Sequence, residues 1–288
     1  MHFLIIISFT YFDICGKFRA VKTWFPDTLK NDGKYQFNDQ HFKEYCTNQN
    51  CDSDLAKINA VSLFLFNELF GSSDSFTINA KSNINIVDYI IIWLSYMLSL
   101  NKNMNYKNIY DFYEENIKNG SKYNQKITEV NAYNSYNDLI DKRKDLLNIN
   151  FEDMSKFYDA FNTLCEMYSG LDINNSNCDI CLKKSKEFAK KYDDLNESYN
   201  NTKGSPYSQL LSRLSNDYDN FKNIYKNPQI SNFPILPTYS RRSVIKKTLM
   251  SIGFIFFAVS IFFGIAYKYS LFGFRKRSKK HLREKLKK

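Results

Sequence analysis

The chain has 288 residues and a formal net charge of +10, but residues 275 to 288 hold nine Lys or Arg against Glu284, while residues 1 to 240 hold 26 Lys or Arg against 29 Asp or Glu. A mildly acidic main body excludes a basic groove tracking phosphates, so no nucleic-acid partner is expected. With 25 Phe and 21 Tyr against only 9 Gly and 5 Pro, the composition excludes disorder, and some 240 residues suffice to bury a core.

Residues 3 to 12, FLIIISFTYF, have the length of a signal-peptide apolar region, yet no Lys or Arg precedes them and no small-residue cleavage site follows cleanly. From Cys15 the pattern becomes globular, with Phe18, Val21, Trp24 and Phe25 at helical spacing before Pro26 stops the turn. A short helix is expected over Asp39 to Tyr45. Asp52 and Ser53 can cap a further helix whose Leu55, Ile58, Val61, Leu65 and Leu69 share one face, ended by Gly71. The stretch from Ile84 to Leu100 is apolar but short of a bilayer span, and reads as a central core helix with Trp93 inside, packed among Ile90, Met97 and the later stripe of residues 207 to 225. Asp88, one turn inside its start, is favoured there by the helix dipole. A second membrane span at this place is the alternative.

Further helices are predicted around Ile109 to Ile117, over 133 to 147 with the DKRKD face solvated, from Asn150 or Asp153 through Tyr168, and over 178 to 198. Ser205 before Pro206 is a cap followed by proline at the first helical position, opening an apolar stripe of Tyr207, Leu210, Leu211, Leu214, Tyr218, Phe221 and Tyr225. Pro228, Pro234 and Pro237 predict an extended stalk. No strand-like alternation and no internal repeat occurs, so the fold class is mainly α, a helical bundle.

Thr248 to Tyr267 carries no charge and holds five Phe and four Ile, which at ~0.3 to 0.6 kcal/mol each favour bilayer insertion by several kcal/mol. The basic run that follows, beginning Arg275, Lys276, Arg277, Lys279 and Lys280, is costly to translocate, so the tail should stay cytosolic, beside anionic lipid, and the main body should lie across the bilayer. The competing topology is a tail-anchored scaffold with its helical domain in the cytosol.

Only His2, His41 and His281 are available for imidazole chemistry, and no Walker, GxGxxG or HExxH motif occurs, so neither enzyme activity nor a cofactor is expected. Cys15, Cys46, Cys51, Cys165, Cys178 and Cys181 make an even six on the side assigned to the lumen or exterior, where disulfides form. Two other readings exist: a redox motif in CDIC, which lacks a βαβ context, and a zinc site from Cys46, Cys51, Cys178 and Cys181, which lacks paired C-x2-C spacing at one end. Cys46 and Cys51 can bridge across the TNQN turn if their Cα atoms come within ~7 Å. Cys165 is expected to find its partner in the Cys178 to Cys181 hairpin, closing a ~15-residue loop for which the chain-entropy model gives ~3 kcal/mol. Four Asn-x-Ser/Thr sequons, at Asn119, Asn174, Asn196 and Asn200, fit an exposed ectodomain.

CGKF near the start, WFPDTL, HFKEYC, CDSDLAKINA, KSNINIVDYIIIWLSYML, DLIDKRKDLLNINFEDMSKFYDAFNTLCEMY and LLSRLSNDYDNFKNIY occur in this order. Together they resemble the Plasmodium interspersed repeat (PIR) family of malaria parasites, closest to its rodent-parasite branch, from Cys15 through the tail. The resemblance implies a largely helical, non-enzymatic variant membrane antigen of the infected red cell, associated with antigenic variation, immune evasion and contact with a host-cell receptor or antibody. Its location would be the infected red-cell, parasitophorous-vacuole or parasite plasma membrane. Members usually begin with a short acidic leader, so residues 1 to 14 stand apart, either as an atypical signal-like leader or as an unspliced intron read as coding sequence. The expected division is thus 1 to 14 leader, 15 to 226 helical ectodomain, 227 to 247 stalk, 248 to 267 transmembrane helix and 268 to 288 basic cytoplasmic tail.

Overall fold

The computed structural model describes residues 2–102, 104, 106–172, 177–225, 227–238 and 241–286. Ten α-helices occur among them, with short 3-10 turns and no strands beyond isolated bridges such as Leu29 to Tyr35. Residues 1–237 form one compact unit and 238–288 a second.

α1 (His2–Trp24) precedes two 3-10 turns, Asp39–His41 and Lys43–Tyr45. α2 (Asp54–Phe70) starts where Ser53 accepts the Ala56 amide at 3.1 Å, satisfying one of the amides a helix start leaves free. α3 (Ser73–Ile78) is a helix where the sequence predicts only a terminating turn: Ser72 accepts the Ser75 amide at 3.0 Å and starts it afresh. α4 (Val87–Leu100) follows, then α5 (Ile109–Phe112), which widens into one π turn over Tyr113–Ile117.

The helix predicted over 133 to 147 is instead α6 (Tyr136–Asp141), a break, and a 3-10 turn over Lys144–Asn148. The break turns Arg143 inward, so the DKRKD face is not wholly solvated. α7 (Phe151–Gly170), capped by Asn150, lies at the centre of the unit, and α8 (Cys181–Asn196) packs along it. α9 (Pro206–Ile224) begins at the Ser205 cap.

Ring contacts define the packing. Tyr11 and Phe12 meet Tyr168 while Phe18 meets Phe161, so α1 and α7 run antiparallel. Tyr89 stacks on Phe161 at 4.1 Å and Tyr96 on Tyr158 at 4.2 Å, which places α4 antiparallel to α7 on another side. Tyr168 also meets Phe221, and Phe157 meets Tyr207, so α9 runs parallel to α7. The long loop before α6 is held to α2 by tyrosine hydroxyls: Tyr123 donates to Asn59 at 2.9 Å and Tyr133 to the Phe70 carbonyl at 2.6 Å.

Two boundaries differ from the sequence reading. Tyr11 and Ile14 are buried, so the end of the leader segment is part of the packed helix, because an uninterrupted helical stretch carries those side chains onto the face that Cys15, Phe18 and Val21 continue. The stalk, too, is not free over its first half. Phe233 stacks on Tyr225 at 5.2 Å, Tyr218 donates to the Pro234 carbonyl at 3.0 Å, and Leu236 rests on the core. α10 (Arg241–Lys285) then contains Leu249–Tyr269, a stretch long and apolar enough to cross a bilayer, with every side chain from 249 to 269 exposed. At 1.5 Å per residue those 21 residues span about 31 Å.

The 14-residue α4 is buried within the first unit, as a core helix should be. Trp93 is 2 % exposed, but its ring lies 6.4 Å from Phe25 of the segment following α1, and α4 meets α9 instead through Asp88 and Tyr89. Trp93→Ala should cost about 3–5 kcal/mol, a large part of a typical domain's stability. The urea midpoint of the variant should fall with unchanged slope; an unchanged midpoint would contradict this packing.

Candidate functional site

His41 stacks on Trp24 at 3.7 Å and is half-buried against aromatic rings, with no nucleophile beside it. Among the described residues no group of three His, Cys, Asp or Glu is placed to hold a metal ion. What the fold does build is a covalent frame, a buried charge cluster and a set of exposed polar positions.

All six cysteines are paired: Cys15 with Cys165, Cys46 with Cys51, and Cys178 with Cys181. Cys46 and Cys51 bridge across the TNQN turn with Cα atoms 5.3 Å apart. The expected pairing of Cys165 within the Cys178 to Cys181 hairpin is not what occurs. Those two close on each other at the start of α8, and Cys165 turns to α1, 150 residues away in sequence, with Cα atoms 5.1 Å apart. The reason is register. Antiparallel packing that sets Tyr11 by Tyr168 and Phe18 by Phe161 must set Cys15 by Cys165 between them. The same pairings close the four cysteines considered for zinc and the two of CDIC as disulfides.

Asp88 is fully buried in the first turn of α4, where the helix dipole alone would be too weak to hold a charge. Arg143 grips it from the break after α6, donating from Nε to Oδ1 at 2.6 Å and from a terminal nitrogen to Oδ2 at 3.1 Å. Arg213 of α9 adds an ion pair, its Nε 2.7 Å from Oδ2, without aligning that N–H along the contact. Burial pushes the Asp88 carboxyl up, and the two guanidiniums pull it back without fully restoring its ordinary value.

One turn on along α9, Asp217 is 3 % exposed and accepts hydrogen bonds from the hydroxyls of Tyr11 and Tyr89, while its backbone carbonyl accepts from Tyr168 at 3.0 Å. Burial, opposed by those hydroxyls and by Arg213, raises this carboxyl to about 6. The same burial pushes Tyr11, Tyr89 and Tyr168 far above the ordinary phenol range, so all three stay neutral donors. Five elements meet in the cluster: α1, α4, the α6 break, α7 and α9.

The sequons separate by exposure. Asn119 is exposed at the end of the π turn, whereas Asn196 is 3 % exposed and cannot serve as the surface position the sequence suggests. Asn200 is also exposed but its side-chain amide is engaged, donating to Asp153 at 2.5 Å, and Asn174 lies outside the described residues. In α10 the side chains of Arg275, Lys276, Arg277 and Lys280 also lie outside the described residues; Lys279 is exposed.

Residues 15–268 match the family model described as Plasmodium variant antigen protein Cir/Yir/Bir. Among solved structures, the chain is similar to one described as the structure of a Plasmodium PIR protein ectodomain. The identity is 30% and the TM-score 0.62, with 82% of this chain and 99% of that one covered. Among curated proteins no sequence matches.

Two measurements follow from the site. In the chain-entropy model the ~150-residue Cys15–Cys165 loop gives about 5 kcal/mol and the Cys46–Cys51 loop about 2 kcal/mol, so replacing the first pair by Ala should lower the urea midpoint far more than replacing the second. Equal losses would contradict the frame. Asp217 has a folded value raised above that of the unfolded chain, so its contribution is present in full below pH ~4 and is lost as pH rises through about 6. The shift corresponds to about 3 kcal/mol. Wild-type stability should therefore fall from pH 5 to pH 7, and Asp217→Asn should flatten that slope, leaving the part due to the other raised carboxyls, Asp88 and Asp13; an identical slope in the variant would refute the assignment.

Proposed function

The chain belongs to the Plasmodium Cir/Yir/Bir variant antigen family, and from this we propose that it is a non-enzymatic membrane antigen whose helical ectodomain is displayed on the surface of the parasite or of a host-derived membrane. Its work there is contact with a host-cell receptor or antibody, serving antigenic variation or immune evasion. The observation that carries the reading is the distribution of chemistry along the chain: three disulfides precede the apolar stretch Leu249–Tyr269, and a run of nine Lys or Arg follows it. Disulfides belong to an oxidising compartment and basic runs to the cytosolic leaflet, where anionic lipid attracts them at ~1 kcal/mol per charge. The tail-anchored scaffold would place all six paired cysteines in a reducing space and carry the basic run across the bilayer.

The fold also supports a display role. The domain is closed by buried tyrosines, a charge cluster and disulfides, and offers a polar surface that can vary in sequence without touching the core.

Synthesis of the full chain into microsomes tests the topology. A glycan should be added at the exposed Asn119 sequon and lost in Asn119→Gln, and external protease should trim the tail while sparing residues 1–240. Absence of any glycan, with the ectodomain cut and the tail shielded, would establish the cytosolic scaffold instead.

A further inference from the structure

A groove of about 390 Å³ lies between α1 and α7. Its floor is apolar: Phe18, Phe161 and the Cys15–Cys165 disulfide, with Ile180 lining it beside Gly170, where an added Cβ would stand 2.9 Å from the Ile180 side chain. The α1 wall is cationic. Arg19 and Lys22 follow at i, i+3, and while Lys22 is paired to Asp27 at 2.8 Å, the exposed guanidinium of Arg19 makes no ion pair or hydrogen bond among the described residues. The α7 wall supplies Asn162 and Ser169, equally uncommitted, and Glu166, which is tied to Lys184 of α8. An apolar floor of ligand-pocket size with an unpaired guanidinium and two unpaired hydrogen-bonding side chains on its rim is suited to a specific occupant.

We propose that this groove binds an extended segment of a partner protein that presents an aromatic or aliphatic side chain next to an acidic one. The apolar side chain fills the floor over the disulfide, the carboxylate pairs with Arg19, and Asn162 and Ser169 bond the segment's backbone. A segment fits better than a free small molecule because the groove opens to solvent along the rim where Arg19 and Ser169 are exposed, so a chain can enter and leave. The inference rests on the display reading, since the groove meets a host protein only if the domain is presented to one. The test uses purified protein, so it fails independently of display.

Full-length protein carrying ¹³C-labelled Ile δ1 methyls, held in phosphatidylcholine nanodiscs, is titrated with acetyl-Gly-Phe-Glu-Gly-amide and its Gln counterpart. The Ile180 methyl should shift in a saturable way with the Glu peptide. The Gln peptide should bind about three- to tenfold more weakly, and Arg19→Gln should remove that difference while Ser169→Trp blocks both. Equal affinities for the two peptides, a shift that survives Ser169→Trp, or no shift at Ile180 would overturn the proposal. Binding of 3-phenylpropanoate as tightly as the Glu peptide would overturn its peptide character, leaving a small-molecule site.

Discussion

The ectodomain depends on how Asp88 is buried. A carboxylate with no exposure inside an apolar helix is tolerable only if compensated, and compensation comes from Arg143, 55 residues later, and Arg213, 125 residues later. Each guanidinium lowers the cost of the buried carboxylate, so the three elements that carry these groups are drawn together. Asp217 extends the demand. Its hydroxyl donors stand on α1 and α4, and Tyr168 of α7 bonds its backbone. A core rich in Phe and Tyr could pack in several ways at similar cost, whereas paired charges and directed hydroxyls admit few. The cluster is thus a candidate source of the fold's uniqueness rather than of its gross stability.

The covalent frame agrees with the same arrangement. Cys15–Cys165 lies between ring pairs that already hold α1 against α7, so the bond closes a contact that packing has made. Such a bond limits the unfolded chain more than it adds to the native contacts. With α1 stapled in this way and Tyr11 committed to Asp217, residues before Cys15 become structural, although the family model begins only at residue 15.

Much of this was legible in the sequence where the signal was local. Ser53, Asn150 and Ser205 cap their helices, the apolar stripes of α2, α7 and α9 face inward, and the uncharged stretch after Thr248 is one apolar helix with exposed side chains. Apart from the missed α3 and the break after α6, the failures share one cause: they concern partners far apart in sequence. Nothing around Cys165 points to Cys15 when Cys178 and Cys181 are so much nearer, and Arg143 within DKRKD looks like one more solvated charge. The buried Asp88 held the clue, since a lone acid in so apolar a run asks for cations elsewhere, and only the break after α6 shows which. The groove was illegible for the same reason, because its walls come from α1 and α7.

The ectodomain is a single oxidised unit with its first helix stapled inside. Non-reducing peptide mapping of the full-length protein, purified from membranes after thiol blocking, tests this most directly. The expected product is a cross-linked species joining the Cys165 peptide to a Cys15 peptide that still contains Tyr11, with no blocked cysteine. Blocked thiols at Cys15 and Cys165 in folded, membrane-inserted protein would contradict it, as would a mature chain beginning after Tyr11.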